Sequence, residues 1–473
     1  MKIQVVSNRL PLEVEIKKDK GEISAKPASG GLATGLSGLR QAYDMVWTGW
    51  PGSITSSARE RAEIERFMAK RSLFPVWLSK KDYNGYYKGF SNKVIWPLFH
   101  YFCQYPQYRQ VYWKAYVKAN LAFCNRILEN ASEEDIFWIN DYHLMLLPEM
   151  IRENLPHAKI GFFLHIPFPH FEVFRQLPWR KEILEGLAGA GLIGFHTQQY
   201  ADYFLHCVNQ ILGCGIDDGT FEVKGRTVRA GSFPMGIDYQ KFTECARQPD
   251  VISTVRQYRE EYQGKKIILS VDRLDYSKGI IQRLRGFDRF LENNPAQRGK
   301  IALLELIVPS RVGVEQYRQL KKEIDEFSGK INGKYGTPFW TPVRYFYRSV
   351  DFPTLCGLYY SADIALITPR RDGMNLVAKE YVAVHQGQPG VLILSEFAGA
   401  AQQLRESITV NPNSIDAIAQ AIEKALDMPV EEQTKRLEAM QKVIRKTDVK
   451  DWAAGFIEKL RMAAARTKST LES

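Results

Sequence analysis

The sequence predicts an α/β protein built on two doubly wound parallel sheets, and two observations carry that prediction. Short, nearly continuous runs of Val, Ile, Leu and Phe alternate with longer stretches of helical periodicity. That is the pattern of strands buried on both faces and joined by crossover helices. The series also runs twice, before and after a polar stretch at 238–263. A chain of 473 residues is too long for one ordinary domain and comfortable for two.

The strands expected in order are 3–7, 136–139, 160–165, 192–195, 267–271, 301–308, 364–368 and 391–394. Helices are expected between them, among them 279–293 and 415–426. Ser414 is placed to cap the latter, and Ile415, Ile418, Ile422 and Ala425 form its apolar stripe. The predicted organisation is a first Rossmann-like domain at 1–238 and a second at 239–450. A terminal helix at 451–473, with Trp452, Phe456 and Leu460 at helical spacing, is expected to return to the first domain, its tail frayed after Arg466.

Lys and Arg outnumber Asp and Glu by 64 to 53, a surplus that suits anionic partners. The basic residues are scattered, without the stripe that marks a nucleic-acid binder, so phosphorylated small molecules are the better expectation. None of the six cysteines forms a CxxC pair and no His cluster stands near them, which predicts reduced thiols, a cytoplasmic location and no metal site. The first residues do not read as a signal peptide, and no apolar run reaches the 18 or so residues of a membrane span.

Ligands of open α/β sheets bind beyond the carboxyl ends of the strands, so the chemistry is sought there. Arg9 follows the first strand, placed to grip an anion ahead of a mobile-looking stretch at 17–21. Gly30 and Gly31 precede a helical pattern, where backbone N–H groups could meet a phosphate; the motif is neither GxGxxG nor a P-loop. Asp141 follows strand 136–139. His165, held before a double-proline turn, could donate as a neutral imidazole to a sugar hydroxyl or to developing charge. Arg273 and Lys278, with Gly279 opening a helix, form a plausible diphosphate cradle. After 364–368 come Asp372, Gly373, Met374, Asn375, Leu376 and Val377, which bend the chain into a helix start, and Glu380 one turn further, able to accept from ribose hydroxyls.

Taken together, VSNR, SGGL, NDYH, FFLHIPFP, DRLDYSKG and RDGMNLVAKE resemble, in order and over essentially the whole chain, the trehalose-6-phosphate synthase family of retaining glycosyltransferases. The resemblance implies the GT-B fold, two Rossmann-like domains facing a deep cleft, and an activity that needs no metal or other cofactor. It implies transfer of glucose from a nucleotide sugar, UDP-glucose as the commonest choice, to glucose 6-phosphate. It assigns Arg9 and Arg311 to the acceptor phosphate, with Tyr87, Trp96 and Trp50 around the acceptor sugar and Asp141 at the reacting centre. On the donor side it assigns Gly30, Gly31, His165, Arg273, Lys278, Asp372 to Val377 and Glu380. Asp141, His165 and Asp372 are the expected catalytic residues. Asn140 departs from the pattern, standing where many members carry His.

No pair of opposed carboxylates of the glycosidase kind is evident; the family is thought to use front-face attack, the leaving phosphate taking the acceptor's proton. The partners expected are thus a nucleotide-sugar donor and a sugar-phosphate acceptor, with neither nucleic acid nor membrane. A homo-oligomer, dimer or tetramer, is compatible with the resemblance. Relatives that use other acceptors, such as glucosylglycerol-phosphate synthases and pseudo-glycosyltransferases, stay open, as does a catalytically silent sugar-phosphate sensor.

Overall fold

The computed structural model describes residues 2–17, 22–27, 43–55, 57–262, 264–311 and 314–471. Gly30, Gly31, the helical pattern after them and most of the stretch 17–21 lie outside the described residues. The chain divides into two compact units, Met1–Pro234 with Val449–Ser473, and Met235–Asp448.

The first unit contains β1 (Ile3–Arg9), β2 (Leu12–Lys17), β3 (Glu22–Pro27), β4 (Met45–Trp50), β5 (Leu73–Pro75), β6 (Ile136–Asn140), β7 (Lys159–Phe163), β8 (Leu192–Phe195), β9 (Ile216–Asp217), β10 (Thr220–Val223) and β11 (Arg226–Ser232). Its main sheet runs β5-β4-β1-β6-β7-β8-β11-β10-β9, parallel as far as β11 and antiparallel at β10 and β9. β2 and β3 form a separate antiparallel hairpin. The winding reverses between β1 and β6, which makes their carboxyl ends the topological switch point. Arg9 ends β1, and Asp141 follows β6 directly.

Every residue of β6 is buried, and the helix Val449–Leu471 is part of what covers it. The ring of Trp138 lies 5.2 Å from Trp452 and 5.1 Å from Phe456. Close docking requires glycine beneath the helix: a Cβ at Gly161 would stand 2.8 Å from Leu460, and one at Gly194 would stand 2.8 Å from Phe456. The apolar spacing of Trp452, Phe456 and Leu460 is therefore the imprint of two notches in the sheet.

The second unit contains β12 (Lys266–Arg273), β13 (Ile301–Val308), β14 (Val343–Tyr347), β15 (Ile364–Ile367), β16 (Val391–Ser395) and β17 (Ile408–Val410). They run β14-β13-β12-β15-β16-β17, all parallel. Both faces are apolar: Ile267, Leu269 and Val271 of β12 enter one core layer, while Ile268 enters the other with Leu284, Phe287, Ile418 and Ile422. Winding reverses between β12 and β15, so the loops after these two strands are the place for a ligand.

The polar stretch at 238–263, read from sequence as the candidate domain boundary, is helical over Tyr239–Cys245 and Pro249–Glu261. Asp238 caps the first, its carboxylate accepting from the Lys241 N–H at 3.0 Å. The second helix fully buries only Val251, and that thin apolar face explains why its sequence reads as a connection.

Candidate active site

In the first unit the chain builds a ladder of rings beside the end of β1. Ser79 caps a short helical turn at Lys80–Tyr83 that continues as a widely wound π-helical stretch, Asn84–Ile95. Such winding is rare and frequent at functional sites. Trp50 stacks on Tyr83 at 4.4 Å, Tyr83 on Tyr87 at 5.2 Å, and Tyr87 on His143 at 5.7 Å. The Arg9 guanidinium carbon lies 5.0 Å from the Trp50 ring centre and 5.8 Å from that of Tyr87. Two aromatic faces thus orient a cation whose ion pair to Glu13, at 2.8 Å, joins side chains 40% and 45% exposed. The indole N–H of Trp50 is buried and meets no acceptor among the described residues. Trp96 stands nearby in sequence, stacked on His100 at 4.1 Å and 5.7 Å from Tyr142.

Asp141 sits at φ 77°, a strained conformation for a residue with a Cβ. Its N–H donates to the Phe163 carbonyl at 2.8 Å, which holds the carboxylate at the strand end. Oδ1 accepts from the His165 backbone N–H at 3.3 Å, and Oδ2 lies 3.8 Å from His143 Nδ1. The His165 ring contacts Asn140 Oδ1 through Nε2 at 3.0 Å. Desolvation by its surroundings lowers His165 to about 3, so the imidazole is neutral at physiological pH.

In the second unit the two switch-point loops interlock. Gly279 adopts φ 67°, and a Cβ there would stand 2.2 Å from the Thr368 carbonyl oxygen. The Arg370 N–H donates to the Ser277 carbonyl at 2.7 Å. Across this junction Lys278 Nζ and Asn375 Nδ2 both donate to Asp372 Oδ2, the second at 3.0 Å. Asn375, at φ 74°, caps the helix Leu376–Val384, its Oδ1 accepting from the Ala378 N–H at 3.1 Å. The loop is clamped from outside, since the Ala400 N–H donates to the Met374 carbonyl at 2.7 Å and the Gly399 N–H to the Asp372 carbonyl at 3.2 Å. Gly373 and Met374 are buried, while Leu376 and Val377 expose part of the helix start. Arg273 is exposed at the end of β12. Cations beside a helix N-terminus are the ingredients of a phosphate site.

Glu380 is held one turn into that helix by the Tyr359 hydroxyl, which donates to Oε2 at 2.7 Å. Burial pushes its carboxyl up, against the hydrogen bond that holds it down. Beneath the loops, Arg283 is fully buried. It donates to Asp272 Oδ2 at 2.6 Å, to the Lys278 carbonyl at 3.0 Å and to Glu305 Oε2 at 3.5 Å. Burial raises Asp272 to about 6 and Glu305 to about 7, with the guanidinium opposing both shifts.

The structure therefore gathers Arg9, Trp50 and Tyr87, joins Asp141 to His165, and joins Lys278 to Asp372 and Asn375. Arg311, expected at the acceptor phosphate, lies in the second unit and is already paired there. Its side chain is 6% exposed, and Nη1 donates to Asp275 Oδ2 at 2.7 Å and to the Tyr317 hydroxyl. A phosphate would have to share or displace Asp275 there. Sequence reasoning missed Tyr83, His143, Tyr359 and Arg283. His143 had a signal, two residues beyond Asp141; Tyr359 meets Glu380 across 21 positions and had none. Among the described residues no group of three or more His, Cys, Asp or Glu is arranged for a metal ion, and no helix is long and apolar enough to cross a membrane.

The profile of Glycosyltransferase family 20 matches residues 1–462. The chain is 43% identical over 464 residues to an alpha,alpha-trehalose-phosphate synthase [UDP-forming] A of Dictyostelium discoideum, covering 98% of this chain and 63% of that relative's length. A crystal structure of an alpha,alpha-trehalose-phosphate synthase (UDP-forming) from Burkholderia xenovorans in complex with glucose-6-phosphate is similar at a TM-score of 0.88 and 34% identity, over 98% of this chain and 100% of that one. A structure from E. coli bound with UDP-2-fluoro glucose is similar at 0.87 and 34%, over 97% and 99%.

Proposed function

Because the chain belongs to glycosyltransferase family 20, we propose that it transfers glucose from UDP-glucose to glucose 6-phosphate, giving trehalose 6-phosphate and UDP with retention at the anomeric carbon. The observation that carries the reading is the second switch point, where Lys278 and Asp372 meet at the capped start of the helix Leu376–Val384. There the amides of the helix start, with Arg273 and Lys278, would stabilise charge on the departing diphosphate more strongly in the transition state than before it. Glu380, aimed by Tyr359, would take the ribose hydroxyls.

The first unit would hold the acceptor. Arg9, oriented over Trp50 and Tyr87, would grip the 6-phosphate, and Asp141 and His165 would contact the sugars. The acceptor's anomeric hydroxyl oxygen attacks C1 of the donor glucose on the face that the leaving group departs. The C1–O bond to the diphosphate breaks, and the acceptor proton passes to the departing phosphate oxygen. A cytoplasmic location fits the six cysteines, all of which are free thiols. A dimer or tetramer is compatible with the reading, and sedimentation would distinguish the two.

The test is release of nucleoside diphosphate from UDP-, GDP- and ADP-glucose, with and without glucose 6-phosphate, followed by identification of the sugar product. Release that depends on both UDP-glucose and glucose 6-phosphate supports the proposal. Equal release with glycerol 3-phosphate, or none with any donor, would overturn it.

A further inference from the structure

Asn140 is the one residue at the first switch point that departs from the expected motif, and its side chain is completely buried. The carboxamide lies between two kinds of neighbour. One edge faces backbone carbonyls, of Trp138 at 3.1 Å and of Val6 at 3.4 Å. The other faces His165 Nε2 at 3.0 Å. Carbonyl oxygens can only accept, so the edge that meets them must be the NH2 group. The opposite orientation would set the amide oxygen against two carbonyl oxygens inside the protein. The carboxamide oxygen is thereby turned to His165, and it too can only accept.

We propose that Asn140 is a positioning residue that locks His165 as the Nε2–H tautomer, so that His165 meets the transferred sugar through a bare Nδ1, as a hydrogen-bond acceptor and not a donor. Nδ1 has no partner among the described residues, and His165 is only half-buried. The groups packed about the ring are Phe163 at 4.7 Å, His196 at 5.4 Å and Trp452 at 6.1 Å between ring centres, with Asp141 on the backbone N–H. An imidazole so placed accepts O–H from a sugar hydroxyl, and the expectation from sequence that it donates is reversed. A charged His165 would lose this capacity altogether, because imidazolium has no acceptor. The inference rests on the assignment of His165 to the transferred sugar made above.

The tautomer is read directly in the full chain labelled with 15N-histidine, from two-bond 15N–1H correlations at pH 7, with His165 assigned by its loss in His165→Gln. The expected pattern is a protonated Nε2 and an unprotonated Nδ1. A protonated Nδ1, or an imidazolium, overturns the proposal. A second arm uses Asn140→Ala, which takes the acceptor away from Nε2 and sets no new oxygen against the carbonyls of Trp138 and Val6. Its His165 spectrum should show protonation moving from Nε2 towards Nδ1, and its turnover should fall about tenfold, the worth of one hydrogen bond, with the KM for the donor nearly constant. An unchanged spectrum would count against Asn140 as the lock; if the variant does not fold, the wild-type spectrum decides alone. Because the spectrum needs no turnover, an Nε2–H signal in a protein that releases no UDP would sink the transfer reaction and leave the tautomer standing.

Discussion

Replacing Arg283 by Met removes a guanidinium that has no exposure to water and leaves two carboxylates behind it. With Arg283 in place, burial already raises Glu305 from 4.5 to about 7 and Asp272 from 3.8 to about 6. At about 1.4 kcal/mol per tenfold change in proton affinity, ionised Glu305 costs the fold about 3 kcal/mol. The folded state binds both protons more tightly than the unfolded chain does. Stability contributed by the protonated carboxyls is therefore fully present below about pH 4, where the unfolded chain is protonated too, and is lost as pH rises from there through the folded values of about 6 and 7. Without Arg283 both carboxyls shift higher, and the variant should lose about 3–5 kcal/mol at pH 8, the cost of breaking a buried ion pair. At pH 5.5 most of the negative charge is gone, and the loss should shrink to about 1–2 kcal/mol from hydrogen bonds alone. Urea-unfolding midpoints of wild type and variant at the two pH values measure the difference. A loss equal at both, or larger at pH 5.5, would refute this account of the network.

Three further substitutions test the assigned roles. Arg9→Ala should raise the KM for glucose 6-phosphate by tenfold or more, since a charge-assisted contact is worth about 1.5–3 kcal/mol, and leave the donor KM little changed; equal damage to both substrates would remove Arg9 from the acceptor. Asp141→Asn should cripple turnover while UDP still binds, and a loss of UDP affinity as large as the loss of rate, measured by calorimetry, contradicts the assignment. Glu380→Gln keeps the bond to Tyr359 but weakens acceptance from ribose hydroxyls, so the KM for UDP-glucose should rise roughly tenfold; an unchanged value would send the ribose elsewhere.

Strands buried on both faces were legible because their runs are nearly continuous in apolar residues, Glu305 being the one charge within β13. β13 appears in the sequence with the limits it has in the structure, Ile301–Val308. β4 was missed although five of its six residues are buried, because Thr48 and Gly49 break the run and the reasons lie elsewhere in the chain. Gly49 is needed where its missing Cβ would stand 2.9 Å from the Ser7 carbonyl oxygen. β14 was missed for the opposite reason: it is an edge strand, and only Val343 is fully buried. Candidate site residues could be picked out in the sequence where they follow strands, as Asp141, His165 and Asp372 do. Those whose meaning depends on a distant partner were not. Nothing near Arg311 in sequence announces Asp275, 36 positions away, nor does Arg283 announce Glu305.

The two glycine notches under the last helix carry a consequence for how the chain is made. The sheet that holds Trp138, Gly161 and Gly194 leaves the ribosome early, yet Trp452, Phe456 and Leu460 emerge only after all of Met235–Asp448. At roughly 5–20 residues per second, the first unit waits on the order of ten to forty seconds with part of its apolar surface uncovered. Its nascent form is therefore a natural client for a chaperone, and a ribosome stalled between the two crossings should present a first unit sensitive to protease until the closing helix is supplied.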